Sequence, residues 1–193
     1  MSGRLAGRRI FMSGGSRGIG LAIARACAAQ GADVAIAAKT AEPHPKLPGT
    51  VFTAAEEIRA EGGGQALPIV CDIRDEAAVE RAVAEAAEAF GGLDVVVNNA
   101  SAISLTPTAE TPVRRYDLMA EVNARGTFVV TRSALPHLLR SDHAHVLTLS
   151  PPLDFDPEWF RGHAAYSLAK YGMSILSHAW AAEFEGRIAV NCL

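Results

Sequence analysis

Tyr166 and Lys170 are the two residues of this sequence whose types and spacing best suit acid–base chemistry. They lie in the segment YSLAK, which predicts a helix, and a spacing of four residues puts both side chains on one helix face. A phenol is a poor proton donor or base at neutral pH, but a nearby ammonium favours its phenolate form. The pair therefore suits proton exchange with a carbonyl or an alcohol, and chance occurrence of the spacing is the weaker explanation.

A glycine-rich turn, SGGSRGIG, occupies Ser13–Gly20 between an apolar stretch and a predicted helix. Small residues there would let a pyrophosphate approach the free N–H groups and the positive dipole end of the helix. The strict G-x-G-x-x-G spacing fails, because Ile23 takes the place of the third glycine. The turn alone is therefore equally compatible with a nucleotide site and with tight packing of a strand against a helix.

Two further polar segments are candidates for binding or catalysis. NNAS (Asn98–Ser101) follows an apolar run at the carboxyl end of a predicted strand, where open α/β sheets bind ligands, although paired asparagines are also ordinary turn formers. Asn123 is a polar residue within a predicted helix, EVNARGTF, and taken alone it is best explained as a solvated or water-satisfied side chain.

The elements that must position these residues alternate between apolar runs of strand length and longer, alanine-rich segments with helical periodicity. This alternation predicts an α/β fold with a parallel sheet covered by helices. Thr111 is the expected cap of the fourth helix, with Pro112 at its first position. Residues 39–50 are rich in proline and are predicted to be a loop. The predicted strands cover residues 9–13, 33–38, 67–71, 93–98, 145–150 and 188–192, and the predicted helices cover residues 18–30, 51–60, 75–90, 112–140 and 162–185.

Composition limits the classes of function. The 193 residues suit a single domain, 1–193, and 49% hydrophobic with 20% charged residues is typical of a globular chain. A net charge of −3 argues against nucleic acid as a partner. The three cysteines form no C-x-x-C pair and no histidines have zinc-ligand spacing, so no metal is expected and a cytoplasmic location fits. The apolar stretch near the N-terminus is too short for a membrane span or a signal segment.

Taken in order, five features resemble the short-chain dehydrogenase/reductase family, single-domain type, over nearly the whole chain. They are SGGSRGIG, CDIRD, NNAS, the helical Asn123 and the Tyr166/Lys170 pair. Further stretches, including SPPLDF and AYSLAKYGMS, look like the branch of this family called hydroxysteroid dehydrogenase-like. The resemblance implies a Rossmann-type doubly wound parallel sheet. It also implies an oxidoreductase that transfers a hydride between a nicotinamide cofactor and a carbonyl or secondary alcohol.

The resemblance further implies roles for individual residues. Tyr166 would exchange a proton with the substrate oxygen, Lys170 would stabilise its phenolate and hold the nicotinamide ribose, and Asn123 would order a proton-relay water. Asp72 would contact the adenine and Asn98 the adenosine ribose. The residues expected along the pyrophosphate are Gly14, Ser16, Arg17, Gly18, Ile19 and Gly20.

Cofactor preference can be argued from the end of the second predicted strand. NAD binders carry an acid there that bonds the ribose 2′-hydroxyl, and this acid would repel the 2′-phosphate of NADP. The sequence has Ala38-Lys39-Thr40 at that place, and Lys39 and Arg17 could pair with a phosphate. We therefore predict NADP(H) in preference to NAD(H).

One departure from the family pattern concerns the segment after the fifth predicted strand. The family usually has two serines there, the second of which polarises the carbonyl, whereas this chain has Ser150-Pro151. Ser150 is therefore a catalytic candidate only if the loop places its hydroxyl differently. The departure keeps open an alternative function, a nucleotide-binding protein with little or no catalysis that senses cofactor or lipid. The Trp159-Phe160 pair in the following loop fits either a lid over an apolar substrate or packing against the core.

The expected partners are a small carbonyl or alcohol substrate, with lipid-like compounds among the candidates, and further copies of the chain. The fourth and fifth predicted helices resemble those that pair between subunits in the family, so a homodimer or homotetramer is expected. The sequence stops within the sixth predicted strand, and another crossover to a seventh strand would need about 30 residues or more. We expect a fragment, or a chain whose C-terminal part is not ordered, that lacks a substrate-lid segment.

Overall fold

The computed structural model describes residues 3–45 and 48–193, which form a six-stranded sheet in which all neighbouring strands are parallel. The strand order is β3-β2-β1-β4-β5-β6, so the chain builds one half of the sheet outward from β1 and then the other half from β4. This is the doubly wound Rossmann arrangement, and the predicted fold class is confirmed. The strands are β1 (Arg9–Ser13), β2 (Asp33–Ala38), β3 (Ala66–Val70), β4 (Val95–Asn98), β5 (His145–Thr148) and β6 (Ala189–Cys192), and the helices are α1 (Gly18–Ala29), α2 (Val51–Ala60), α3 (Glu76–Phe90), α4 (Val113–Met119), α5 (Gly126–Leu138) and α6 (Ala164–Glu183).

The central strands are buried on both faces, which is why they read as continuous apolar runs. Phe11 of β1 belongs to the core beneath α3 and α5, whereas its neighbours Ile10 and Met12 belong to the core beneath α1 and α2. Successive side chains of a strand point to opposite faces, so one strand serves both cores. Because helices cover both faces of the sheet, a ligand can reach it only at the ends of the strands and at the loops that follow them.

The helix predicted over residues 112–140 is broken in the structure. It consists of α4, a π-helical segment at Ala120–Arg125, and α5. Asn123 of the π segment is fully buried, and both ends of its side-chain amide bond the backbone of Ala102 in the loop after β4. A π turn inside a helix is rare and is frequently found at functional sites. Here it ties the helix to the loop at the carboxyl edge of the sheet.

The start of this helix also differs from the prediction. The Thr111 hydroxyl bonds the carbonyls of Thr106 (3.0 Å) and Pro107 (2.9 Å) in the preceding turn. Pro112, with an extended backbone, is the residue that caps α4, and no side chain bonds the first turn there. The prediction of Thr111 as the cap is wrong, because α4 begins one residue later than expected, at Val113, with Pro112 in the cap position.

The other element boundaries agree with the predictions within two residues. β1, β2 and α2 begin and end as predicted, whereas β4 begins at Val95 and β5 ends at Thr148. The described part of the predicted loop 39–50 contains no helix or extended strand, and Lys46 and Leu47 lie outside the described residues.

An ion pair between the partly exposed Arg9 and the buried Asp94 stabilises the amino edge of the sheet. The Asp94 carboxylate accepts hydrogen bonds from N, Nε and Nη2 of Arg9 (3.0, 2.9 and 2.6 Å) and from Oγ of Ser141 (2.6 Å). Burial raises the pKa of Asp94, but the hydrogen bonds from Arg9 and Ser141 outweigh burial and hold this pKa well below its ordinary value. The contacts join β1, the start of β4 and the turn before β5.

Candidate functional site

A cavity of 460 Å³ opens at the carboxyl ends of β1, β2 and β3, the edge at which doubly wound sheets bind ligands. Gly18 lies in the glycine turn but does not line the cavity. The predicted cofactor-binding residues that do line it are Gly14, Ser16, Arg17, Ile19, Gly20, Lys39 and Asp72.

Close packing in the glycine turn excludes larger side chains. A Cβ added to Gly14 would lie 2.7 Å from Cα of Ala100, and one added to Gly20 would lie 2.4 Å from Nδ2 of Asn99. Asn99 closes the turn, because its Nδ2 donates to the carbonyls of Ser13 (3.1 Å) and Gly14 (2.8 Å). In the part of the chain that the structure describes, no side chain caps the N-terminus of α1, which leaves the N–H groups of its first turn for a ligand.

The end of β2 carries positive charge. Lys39 is exposed there, and Arg17 reaches across from the glycine turn to donate to Oγ1 of Thr40 (2.8 Å). Among the described residues, Asp72 is the one carboxylate in the lining of the cavity. The Arg74 guanidinium bonds both oxygens of Asp72, and this hydrogen bonding lowers the pKa of the Asp72 carboxyl.

Asn98 is not among the residues that line this cavity, and its contact with the adenosine ribose stays a prediction. It is buried, and its Nδ2 donates to Oγ1 of Thr131 (2.9 Å) on α5. Asn98 follows Val96 by two residues on β4, so the alternation of the strand turns both toward the α3 and α5 layer. The next residue, Asn99, lines the cavity instead.

Asn123 is also placed differently from the simplest interpretation of its sequence context. It is neither solvated nor at the cavity wall, because it is completely buried. Its Oδ1 accepts from N of Ala102 (2.8 Å) and its Nδ2 donates to O of the same residue (3.0 Å). With both ends of the amide engaged in this way, the side chain positions the loop that carries Ser101 and Ala102 into the cavity.

Tyr166 and Lys170 lie on α6, beside the end of β5, and are both partly buried. The Lys170 ammonium donates to the carbonyl of Leu149, and burial lowers the pKa of Lys170. The Tyr166 hydroxyl has no hydrogen-bond partner within the described ranges, and its ring contacts the ring of His163 edge-on, with centroids 6.3 Å apart. Neither Tyr166 nor Lys170 is part of the wall of the 460 Å³ cavity.

Ser150 is 4% exposed, and its Oγ has no partner in the part of the chain that the structure describes. Its N–H donates to the carbonyl of Leu193 (3.0 Å), which extends the β5–β6 pairing beyond the strand end. The hydroxyl is therefore enclosed in protein rather than presented to the carboxyl edge.

The loop between β5 and α6 packs around Tyr171. The Phe160 ring lies 4.9 Å from the Tyr171 ring, and the Tyr171 hydroxyl donates to the carbonyl of Asp154 (2.6 Å). Trp159 is 62% exposed, with its indole N–H bonded to the Asp154 carboxylate. Phe160 thus packs against the protein, whereas Trp159 faces solvent.

Reasoning from sequence missed several residues that line the cavity. Arg74 follows Asp72 by two residues, and Asn99 follows Asn98 directly. Their nearness in sequence to a predicted site residue was the signal that could have identified them. Thr40 could have been found as the residue after Lys39. Which of two neighbouring residues lines the cavity depends on the geometry of the turn, and the spacing of residues in the sequence does not determine that geometry.

A second cavity, of 520 Å³, lies at the amino edge of the sheet and contains none of the predicted site residues. Its polar lining includes Arg9, Glu88, His137 and Arg140. Burial and the neighbouring Arg140 lower the pKa of His137.

Within residues 3–45 and 48–193, no helix has the length and apolar character that a bilayer crossing requires. In the same ranges, the structure contains no cluster of three or more His, Cys, Asp or Glu side chains arranged to hold a metal ion.

Known proteins match this chain along its length. The family model described as short chain dehydrogenase matches residues 8–193. Hydroxysteroid dehydrogenase-like protein 2 of Danio rerio and that of Homo sapiens are each 56% identical to it over 192 residues. These matches cover 100% of this chain and 46% of each relative, so the chain spans about half the length of these relatives.

Two solved structures support the same assignment. A short-chain dehydrogenase from Mycobacterium thermoresistibile is 54% identical with a TM-score of 0.93, over 97% of this chain and 67% of that one. A dehydrogenase/reductase from Sinorhizobium meliloti is 37% identical with a TM-score of 0.84, over 97% of this chain and 71% of that one. This chain therefore belongs to the short-chain dehydrogenase/reductase family, and its sequence is similar to the hydroxysteroid dehydrogenase-like branch.

Proposed function

We propose that this protein transfers a hydride between NADP(H) and a carbonyl or secondary alcohol, with Tyr166 as the acid–base group and Lys170 as its electrostatic partner. The family consists of oxidoreductases that bind a nicotinamide cofactor. The observation that carries the proposal is the Tyr166 hydroxyl, which has no partner among the described residues, on a residue one turn before Lys170 in α6. A phenol without a protein partner, one helix turn from a lysine, is suited to exchanging a proton with a ligand.

The residues of the 460 Å³ cavity fit such a cofactor. The close packing around Gly14 and Gly20 keeps side chains away from the N-terminus of α1, where the uncapped amides can receive a pyrophosphate. Asp72 and Arg74 would hold the adenosine end, and Lys170 would hold the ribose at the nicotinamide end. When bound, the cofactor supplies or accepts the hydride at the substrate carbon.

The protein side chains donate or accept the proton that accompanies hydride transfer. In the reducing direction the bond from Oη of Tyr166 to its proton breaks, and the proton forms a new bond to the substrate oxygen as the carbonyl becomes an alcohol. The Lys170 ammonium, fixed by the carbonyl of Leu149, stabilises the phenolate that remains. In the oxidising direction the same phenolate removes the proton of the alcohol.

Replacing Tyr166 tests this role. Tyr166→Phe should lower kcat by about 10²–10⁴-fold, the usual contribution of a general acid or base. Cofactor affinity, measured by fluorescence titration, should stay within about twofold because the phenol is not needed to seat the pyrophosphate. Tyr116→Phe, at a half-exposed tyrosine on α4, is the matched control and should keep full turnover. Turnover retained in Tyr166→Phe would remove Tyr166 from the mechanism.

The proposed preference for NADP(H) rests on the charges at the end of β2. Arg17, oriented by Thr40, and the exposed Lys39 present two cations where a 2′-phosphate would lie. The nearby carboxylate of Asp72 is paired with Arg74. Lys39→Asp should shift the ratio of NADP(H) to NAD(H) affinities toward NAD(H) by about tenfold or more, which corresponds to about 1.4 kcal/mol. Equal affinity of the wild type for both cofactors, or an unchanged ratio in Lys39→Asp, contradicts the proposed preference.

The second candidate function is cofactor binding with little or no turnover, as in a sensor of cofactor or lipid. Pro151 and the enclosed Ser150 hydroxyl favour it, because neither residue presents a second hydroxyl to a substrate. A panel of aldehydes, ketones and acyl-thioester-like compounds, assayed with cofactor binding in parallel, separates the two candidates. If the protein binds cofactor but turns over none of these compounds, the result favours the sensor function.

The proposed partners are a small carbonyl or alcohol substrate and further copies of this chain, in a single domain of residues 1–193 located in the cytoplasm. Exposed apolar side chains on α4 and α6, Val113, Leu168 and Ile175, support self-association as a homodimer or homotetramer. Light scattering on the purified chain tests the assembly, and a monomer at micromolar concentration contradicts it.

Exposed Ile103 and Leu105 in the loop after β4 support an apolar, lipid-like substrate.

A further inference from the structure

The reacting oxygen of the proposed function needs more than one hydrogen-bond donor. Charge develops on a carbonyl oxygen as the carbon is reduced, and preorganised donors aimed at that oxygen stabilise the transition state. Tyr166 provides one donor. Lys170 is engaged by the carbonyl of Leu149, and the Ser150 hydroxyl is enclosed in the protein. Of these three residues only Tyr166 is available to donate, so a second donor must come from another residue.

His163 is the polar side chain in direct contact with the Tyr166 ring. It is the residue before α6, and the two rings meet edge-on, with centroids 6.3 Å apart and planes at 82°. This separation is within the range of edge-to-face aromatic contacts. Both residues are partly exposed, and the contact between their rings places the imidazole beside the phenol.

The His163 ring is held in one orientation. Its Nδ1 lies 2.8 Å from Oγ of Ser167, a buried residue one turn along α6. The backbone is fixed as well, because its N–H donates to the carbonyl of Phe160 and its carbonyl accepts from the N–H of Ser167. If the Ser167 hydroxyl donates to Nδ1, the neutral ring carries its proton on Nε2.

We propose that His163 is a second catalytic residue, which donates a hydrogen bond from Nε2 to the substrate oxygen while Ser167 holds the ring and selects its tautomer. The inference rests on the proposed function, because it needs a reacting oxygen at Tyr166. No proton is transferred by His163, since its N–H remains bonded to Nε2 throughout and only the hydrogen bond strengthens as charge develops. The substrate class implied is one whose reacting oxygen can accept two hydrogen bonds, an aldehyde or ketone or the matching alcohol.

Two substitutions separate hydrogen-bond donation from simple packing against Tyr166. His163→Gln keeps an N–H donor but removes the ring, whereas His163→Phe keeps an aromatic ring but removes the donor. Donation predicts that His163→Phe loses about 10²–10³-fold in kcat, the usual effect of removing one such donor, with KM and cofactor affinity little changed. His163→Gln should retain at least ten times the kcat of His163→Phe, where the tenfold margin is about 1.4 kcal/mol. His178→Phe, at an exposed histidine of the same helix, is the control and should behave as the wild type.

A second measurement reads the tautomer without any turnover. In ¹⁵N spectra of the imidazoles, assigned with His163→Gln, the neutral His163 ring should carry its proton on Nε2, and Ser167→Ala should move it partly to Nδ1. A neutral ring protonated on Nδ1 in the wild type overturns the proposal, as does a His163→Phe variant that turns over faster than His163→Gln. If the wild type binds cofactor but reduces no panel member, the proposed function itself fails, and the role of His163 fails with it. Turnover that depends on Tyr166 but not on His163 overturns the further inference alone.

Discussion

The two edges of the sheet each carry a cavity of similar size, and the difference between them lies in how their polar groups are used. At the amino edge the 520 Å³ cavity borders the Arg9–Asp94 pair, in which the carboxylate already accepts four hydrogen bonds. At the carboxyl edge the 460 Å³ cavity borders the uncapped end of α1, with the exposed Lys39 beside it. Volume therefore does not distinguish the two edges.

Unused hydrogen-bond donors distinguish the two edges instead. Polar groups that bond one another contribute to folding, because their desolvation is compensated within the protein. Polar groups without protein partners are available to a ligand, and among the described residues these include the Tyr166 hydroxyl, on a partly exposed residue outside the cavity wall. The comparison assigns stability to the amino edge and binding to the carboxyl edge, and substitutions at the two edges should accordingly affect different measurements.

The largest expected effect is at the amino edge. Asp94→Ala should lower the free energy of unfolding by about 1.5–3 kcal/mol, because it leaves the Ser141 hydroxyl and the partly exposed Arg9 guanidinium without their shared acceptor. Urea denaturation gives the change, and cofactor affinity of the folded fraction should be unaltered. Arg132→Ala, which removes an exposed ion pair with Glu76, is the control and should cost no more than about 1 kcal/mol. A loss of cofactor affinity in Asp94→Ala without a loss of stability would contradict the division between the edges.

The next effect is at the carboxyl edge. Gly20→Ala should weaken cofactor binding at least tenfold, about 1.4 kcal/mol, because the added methyl would displace Asn99 and with it the closure of the glycine turn. Gly18→Ala is the matched comparison. Its methyl would meet no atom within 4 Å, but its φ of +55° is left-handed, so only backbone strain of about 1–2 kcal/mol is expected. Calorimetric titration with NADP(H) measures both variants, and equal affinity of Gly20→Ala and the wild type would contradict the steric argument.

The sheet and the glycine turn could be predicted from the sequence because they depend on periodic and local signals. Strands buried on both faces leave unbroken apolar runs such as VVVN in β4, and the turn at Ser13–Gly20 contains the small residues that its close packing requires. The alternation of strands and helices predicted a parallel sheet covered by helices, and the family resemblance implied its doubly wound arrangement. These features are set by short segments, each readable by itself.

The details that sequence reasoning missed depend on contacts between distant segments. Asn98 turns toward α5 and Asn99 toward the cavity because of the strand alternation at the end of β4, which two adjacent asparagines do not reveal. The π turn at Ala120–Arg125 accompanies the pairing of Asn123 with Ala102, 21 residues earlier in the chain. The Arg9–Asp94 pair joins residues 85 apart and carries no motif. Each of these requires knowledge of which segments meet.

The smallest expected effect is the response of the amino edge to acid. The folded protein holds the pKa of Asp94 well below its ordinary value, through hydrogen bonds from Arg9 and Ser141 that outweigh burial. A depressed carboxylate stabilises the fold fully above the unfolded pKa, which is about 3.9, and this contribution is lost as the pH falls below that value toward the folded pKa. Urea denaturation between about pH 6 and pH 3 should therefore show a steeper loss of stability in the wild type than in Asp94→Asn, which lacks the titrating group. Parallel stability curves for the two proteins over this range would show that the carboxylate of Asp94 does not couple folding to protonation.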